Sequence, residues 1–158
     1  VSFSTRIGLA LLLCLAAPAR AAGSASPRPA PTAELGSVLL KHALTEIGAK
    51  RFRDAVADLR DFAARFPDHV YDDYAHYWLA FAHYQLGEFA LAQVTSDFLL
   101  YRHPYSFKAA DGAMLNAMCR VRRGDRARAI DELKAALEAN PESVLAPQAE
   151  ALLFSGPR

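Results

Sequence analysis

From Leu35 onward the apolar residues recur at steps of three and four. Val38, Leu39, Ala43, Leu44 and Ile47 trace one stripe, and after a Gly48-Ala49-Lys50-Arg51 break Phe52, Ala55, Val56, Leu59, Phe62, Ala63 and Phe66 trace a second. Such spacing lays apolar side chains along one face of an α-helix, so each stretch predicts an amphipathic helix and the break a turn. The same alternation returns over 71–86 and 89–103, with a turn at Gly87-Glu88, and again around a turn at Gly124-Asp125. A last short stretch, Pro147 to Phe154, carries Ala149, Leu152 and Leu153 and predicts a closing helix.

The hairpins are copies of one another. Pro67, Pro104 and Pro141 are spaced by 37 and 37 residues, and the same shift aligns Ala43 with Ala80 and Ala117, Ala55 with Ala92 and Ala129, and Gly87 with Gly124. Alanine at a fixed place lets paired helices approach closely, glycine ends a helix at little steric cost, and proline stops the second helix because it lacks the N–H that continues the ladder. A lone hairpin leaves an apolar face bare, whereas stacked hairpins bury a continuous core. The chain is therefore expected to be all-α, an α-solenoid of three helical hairpins with a 37-residue period and a C-terminal capping helix, over residues 35–154, followed by a tail at 155–158.

This layout resembles the tetratricopeptide repeat, whose pattern runs Trp-x2-Leu-Gly-x2-Tyr, Ala-x3-Phe, Pro. The second Ala is present as Ala55, Ala92 and Ala129, and the Pro as Pro67, Pro104 and Pro141; the Gly place holds Ala43, Ala80 and Ala117, and the Tyr place Glu46, His83 and Arg120. The three residues beyond the usual period follow the proline. With His103-Pro104-Tyr105-Ser106, Tyr77-Trp78-Leu79 and Gly124-Asp125, the variant resembles the repeat domain of periplasmic Tol-Pal-associated coordinators of the CpoB/YbgF type and, less closely, the BamD type. Those coordinators trimerise through a coiled coil; no sustained heptad precedes Leu35, so trimerisation is not carried over.

Upstream, Arg6 followed by the apolar run Ile7 to Ala17 and by Ala19-Arg20-Ala21 is the pattern of a secretory signal peptide, expected to span residues 1–21. The run is shorter than the roughly 20 residues a bilayer span needs. Residues 22–34, rich in Ala, Pro, Gly and Ser, read as a flexible linker that buries too little apolar surface to order itself. Lipid attachment at Cys14 would tie the chain to a membrane, but Leu13 stands where that processing prefers a small residue. Loss of the leader leaves sixteen basic against seventeen acidic residues and Cys119 as a lone thiol, best kept by burial.

Near-zero net charge offers no field for nucleic acid. No G-x-S-x-G, H-E-x-x-H or phosphate-cradling loop occurs, so no enzyme, cofactor or small-molecule substrate is expected. His69, His76 and His83 recur every seven residues, but two helical turns are about 11 Å, too far for His76 and His83 to share one metal. First helices of stacked hairpins line a concave face, and Leu40, Leu44, Tyr74, Tyr77, Phe81, Tyr84, Met114 and Met118 are expected there as a groove for an extended peptide or a helix. Arg120, Arg122 and Arg123 crowd a helix C-terminus, where cations complement the dipole, and form a candidate basic patch for an acidic partner. The resemblance implies a periplasmic or secreted adaptor holding a protein of the cell envelope, in constriction or a Tol-Pal-linked process. Its BamD-like alternative is outer-membrane protein assembly, and a third reading is a subunit-assembly module of a larger complex.

Overall fold

The computed structural model describes residues 31–155; the expected leader, Cys14 and the linker up to residue 30 lie outside them. Among the described residues the regular structure is helical throughout: α1 (Pro31–Gly48), α2 (Phe52–Arg65), α3 (Asp72–Gln85), α4 (Phe89–Arg102), α5 (Ala109–Arg122), α6 (Arg126–Ala139) and α7 (Ala146–Phe154). Helix α1 takes in residues 31–34, which the composition assigned to the linker. A proline in the first helical turn is harmless there, because its missing N–H would have no intrahelical partner. The starts of α2, α4 and α6 are 37 residues apart, as are those of α3, α5 and α7. Each helix packs on the next, while α1, α3, α5 and α7 also touch in succession and build one wall of the solenoid.

The small residues do what their recurrence implies. Ala43, Ala80, Ala55, Ala92 and Ala129 are fully buried, and Ala117 nearly so. Pro67, Pro104 and Pro141 each stand two residues beyond the end of a second helix, after the caps Phe66, His103 and Asn140.

The hairpin turns share one backbone geometry. Gly87 and Gly124 have φ of 78° and 94°, and the equivalent place in the first turn is taken by Lys50 at 59°, not by Gly48, which still belongs to α1. In each turn this residue bonds back three positions and its successor five: Lys50 to Ile47 and Arg51 to Glu46, Gly87 to Tyr84 and Glu88 to His83, Gly124 to Val121 and Asp125 to Arg120. That pair of bonds satisfies carbonyls that a helix end leaves orphaned. The side chains at the ends of the longer bond pair as well. Arg51 Nη2 donates to Glu46 Oε1 at 2.8 Å, His83 Nδ1 lies 2.5 Å from Glu88 Oε2, and Arg120 Nη2 donates to Asp125 Oδ2 at 2.7 Å. The residues that replace the repeat's Tyr thus form a latch across every turn.

Two apolar clusters fill the interior. One joins α1, α2 and α3 through Leu40, Leu59, Phe62 and Leu79; the other runs from α3 to α7 through Tyr77, Leu99, Met114, Leu115, Met118, Leu133 and Leu152, and Trp78 packs against both. Cys119 is buried in the second, and that burial pushes its thiol up to about 12, so it is held as the inert protonated form.

Candidate partner-binding groove

The wall of first helices carries a chain of hollows. One of about 220 Å³ is lined by Ser37, Leu40, Lys41, Leu44, Tyr71 and Tyr74. A second, of about 450 Å³, lies between Ile47, Lys50, Phe52, Trp78, Phe81 and Gln85 on one side and Val144 and Gln148 on the other. A third, of about 410 Å³, shares Gln85 and Gln148 with it and continues past Tyr84, Phe89 and Arg122. Gln85 Nε2 donates to Gln148 Oε1 at 3.4 Å, so a side chain of α3 meets one of α7 where the second hollow passes into the third.

The floor is aromatic because α3 places Tyr74, Trp78 and Phe81 on one face, four and then three residues apart. Their rings stack edge to face, Tyr74 to Trp78 at 6.0 Å and Trp78 to Phe81 at 5.3 Å, and Phe52 from α2 extends the row at 6.2 Å from Phe81. Edge-to-face contact locks each ring by its neighbours, leaving a rigid apolar surface that loses little entropy when covered. Each hollow also has one cation, Lys41, Lys50 or Arg122, and none is lined by a carboxylate.

Of the residues expected in the groove, Leu44, Tyr74 and Phe81 line it, and Leu40 touches its first hollow while 4% exposed. Tyr77, Met114 and Met118 do not: all three are completely buried. One helical residue is 100° of rotation, and the step from Tyr77 to Trp78 carries the side chain from the packing between hairpins to the open face. Met118, equivalent to Leu44 and Phe81 in the repeat, shares its cluster with Ala149 and Leu152 of α7, the helix that covers the last hairpin. Tyr84, 9% exposed, stacks on Phe89 at 5.3 Å and edges the third hollow. Trp78, Phe52, Ile47, Gln85, Val144 and Gln148 were not expected there. Only Trp78 and Gln85 share a face with Tyr74 and Phe81 in the sequence; the others arrive from different hairpins.

The arginines do not act together. Arg120 is latched to Asp125 and also bonds Glu132, which raises its pKa further and keeps it charged. Arg122 lies over the Phe89 ring at 4.8 Å, and Arg123 bonds Gln93, one turn further along α4. The histidines likewise have separate partners: His69 the carbonyl of Ala33, His76 that of Asp72, and His83 Glu88.

A family model described as tetratricopeptide repeat matches residues 37–69, the first hairpin and its proline. Among solved structures, that of PcrH in complex with the chaperone binding region of PopB superposes with a TM-score of 0.58 at 19% identity, over 76% of this chain and 95% of that one. The fold is that of a tetratricopeptide-like repeat. No curated protein matches the sequence.

Proposed function

We propose that this repeat domain is a binding module that captures a short segment of a partner protein in the groove of its first helices, without chemical turnover. The observation that carries this reading is the row of Tyr74, Trp78, Phe81 and Phe52 facing the first two hollows, which continue into the third, each with a cation and no acid. An apolar floor with a positive rim suits a segment whose aliphatic or aromatic anchors are flanked by Asp or Glu. A structurally similar chain, PcrH, has been solved with a partner's chaperone binding region. The leader pattern at residues 6–21 supports an encounter outside the cytoplasm, with a protein of the cell envelope as partner. A role in Tol-Pal-linked constriction rests on the sequence resemblance of the repeats, and so does the BamD-like alternative.

Trp78 is the sole tryptophan of the chain, so its emission reports occupancy of the groove. Peptides selected by display against the full chain are expected to carry apolar anchors with acidic flanks and to change the Trp78 spectrum. Phe81→Ala should weaken them roughly 30-fold, the loss of one buried anchor. Selected peptides that leave Trp78 emission unchanged and bind Phe81→Ala as tightly as wild type overturn the groove. Export is tested separately: residues 1–21 fused to alkaline phosphatase should give activity outside the cytoplasm and a mature chain beginning at Ala22, and an inactive, uncleaved fusion removes the envelope partner from the proposal.

A further inference from the structure

The second helices of the three hairpins occupy equivalent places in the repeat, and only one of them is apolar on its outer side. Counting by 37, the exposed outer positions of α2 are Asp54, Ala57, Asp61 and Ala64, and those of α6 are Arg128, Asp131, Ala135 and Glu138. In α4 the same four places are Leu91, Val94, Phe98 and Tyr101, exposed by 45%, 65%, 42% and 88%. The inner side of α4 is already spent on the core through Ala92, Ser96 and Leu99. A helix with an apolar outer row as well as an apolar inner one has a second face to cover, and the two flanking helices at equivalent places show that the solenoid itself does not require that outer row.

From this contrast we infer that α4 is a dimerisation surface, covered in solution by α4 of a second copy of this chain. The row itself selects the occupant. Its spacing of three, four and three residues is the seam of a helix pair, and it is symmetric about Ser96. Two antiparallel copies therefore set Leu91 against Tyr101 and Val94 against Phe98, each time a smaller side chain against a larger one, in an isologous contact that closes on itself. The row holds no charge, and its neighbour Asp97 is engaged by Asn116 Nδ2 at 2.6 Å. The four side chains offer on the order of 450 Å², more than half of the ~800 Å² that each side of a standard interface buries, and the outer rows of α2 and α6 are placed to supply the polar rim. This inference is independent of the groove, which opens on the first helices.

The protein's own repeat provides the disrupting variant: Leu91→Asp, Val94→Ala, Phe98→Asp and Tyr101→Ala together give α4 the outer face of α2. Sedimentation equilibrium on the full chain should return twice the monomer mass for wild type, falling toward monomer on dilution. The quadruple variant should return one monomer mass throughout, with unchanged helical circular dichroism and unchanged capture of the selected peptides. The single exchange Tyr101→Glu, at the most exposed position, should weaken association at least tenfold and keeps the test open if the quadruple variant misfolds. Three results overturn the inference: a wild-type chain monomeric at 100 µM, a dimer that survives both variants, or a monomer whose α4 row is shielded from side-chain labelling by residues 1–30.

Discussion

Tyr77→Ala is expected to remove about 3–5 kcal/mol of stability, the range for deleting a fully buried aromatic side chain, and to lower the melting temperature by on the order of 10–20 °C. The side chain is 0% exposed and packed among Ala80, Met114 and Leu115 at the junction of the second and third hairpins. Tyr77→Phe should move the other way. The Tyr77 hydroxyl is buried without a hydrogen-bond partner, and burial raises its pKa. Deleting that oxygen relieves an unsatisfied polar group, worth about 1 kcal/mol. The ring remains, and with it the contact to Lys108 Nζ at 4.7 Å from its centroid. Urea unfolding followed by Trp78 emission separates the outcomes. A Tyr77→Ala protein that unfolds at the wild-type midpoint yet fails to bind the selected peptides would return Tyr77 to the groove.

Repetition made the architecture legible and hid part of the site. Three alanines at two places and three prolines at a third are constraints on the backbone, so their interval was reproduced in the helix starts and in the buried contacts. A groove residue obeys a weaker constraint. It has to face outward at one particular level of one helix, and an error of a single residue exchanges Trp78 for Tyr77. Repetition did not help at that level, because Leu40, Tyr77 and Met114 are equivalent and all buried, whereas Leu44 and Phe81 are open and their equivalent Met118 is closed by the cap. Val144 and Gln148 come to the groove from the segment after the third hairpin, so their place there is a property of the assembled solenoid and of no single hairpin.

The turn latches teach the converse. Taken singly, Glu46, His83 and Arg120 are three unlike departures from the Tyr of the repeat pattern: an acid, an imidazole and a guanidinium. Their partners five residues later, Arg51, Glu88 and Asp125, differ in step with them, so the retained feature is the pair. The 37-residue interval is therefore kept by the pair and by neither residue alone. His42 shows the same coupling at a smaller scale: its bond to Asp58 at 2.7 Å raises its pKa, and with it the affinity of α1 for α2 is greatest where His42 is protonated and declines as pH rises through that raised value.

Asp111→Ala is expected to free the last helix and, through it, the groove. The carboxylate is 7% exposed at the start of α5, and it accepts hydrogen bonds from Asn140 Nδ2 at 2.8 Å, Ser143 Oγ at 2.6 Å and Lys108 Nζ at 2.9 Å. Its donors Asn140 and Ser143 belong to the loop between α6 and α7. The preceding hairpins show a related clasp, in which His103 and Ser106 reach Asp72 and Asp73 at 2.8 and 2.5 Å. Removing one partner strands the others in a largely dry site, a loss of about 3–5 kcal/mol. The loss should be local, since among the described residues the backbone of α7 packs on α5 and α6 and α7 reaches α3 through the Gln85–Gln148 side-chain bond. Amides of Leu145, Ala149 and Leu152 are therefore expected to exchange faster in the variant, on the order of a hundredfold or more, while those of α1 to α3 keep their rates. Because Val144 and Gln148 form the far side of the second hollow, the selected peptides should bind more weakly even though the aromatic row is intact. Unchanged exchange in α7 would mean that the loop is held by its apolar contacts alone. Fast exchange with undiminished peptide capture would confine the binding face to α1, α2 and α3.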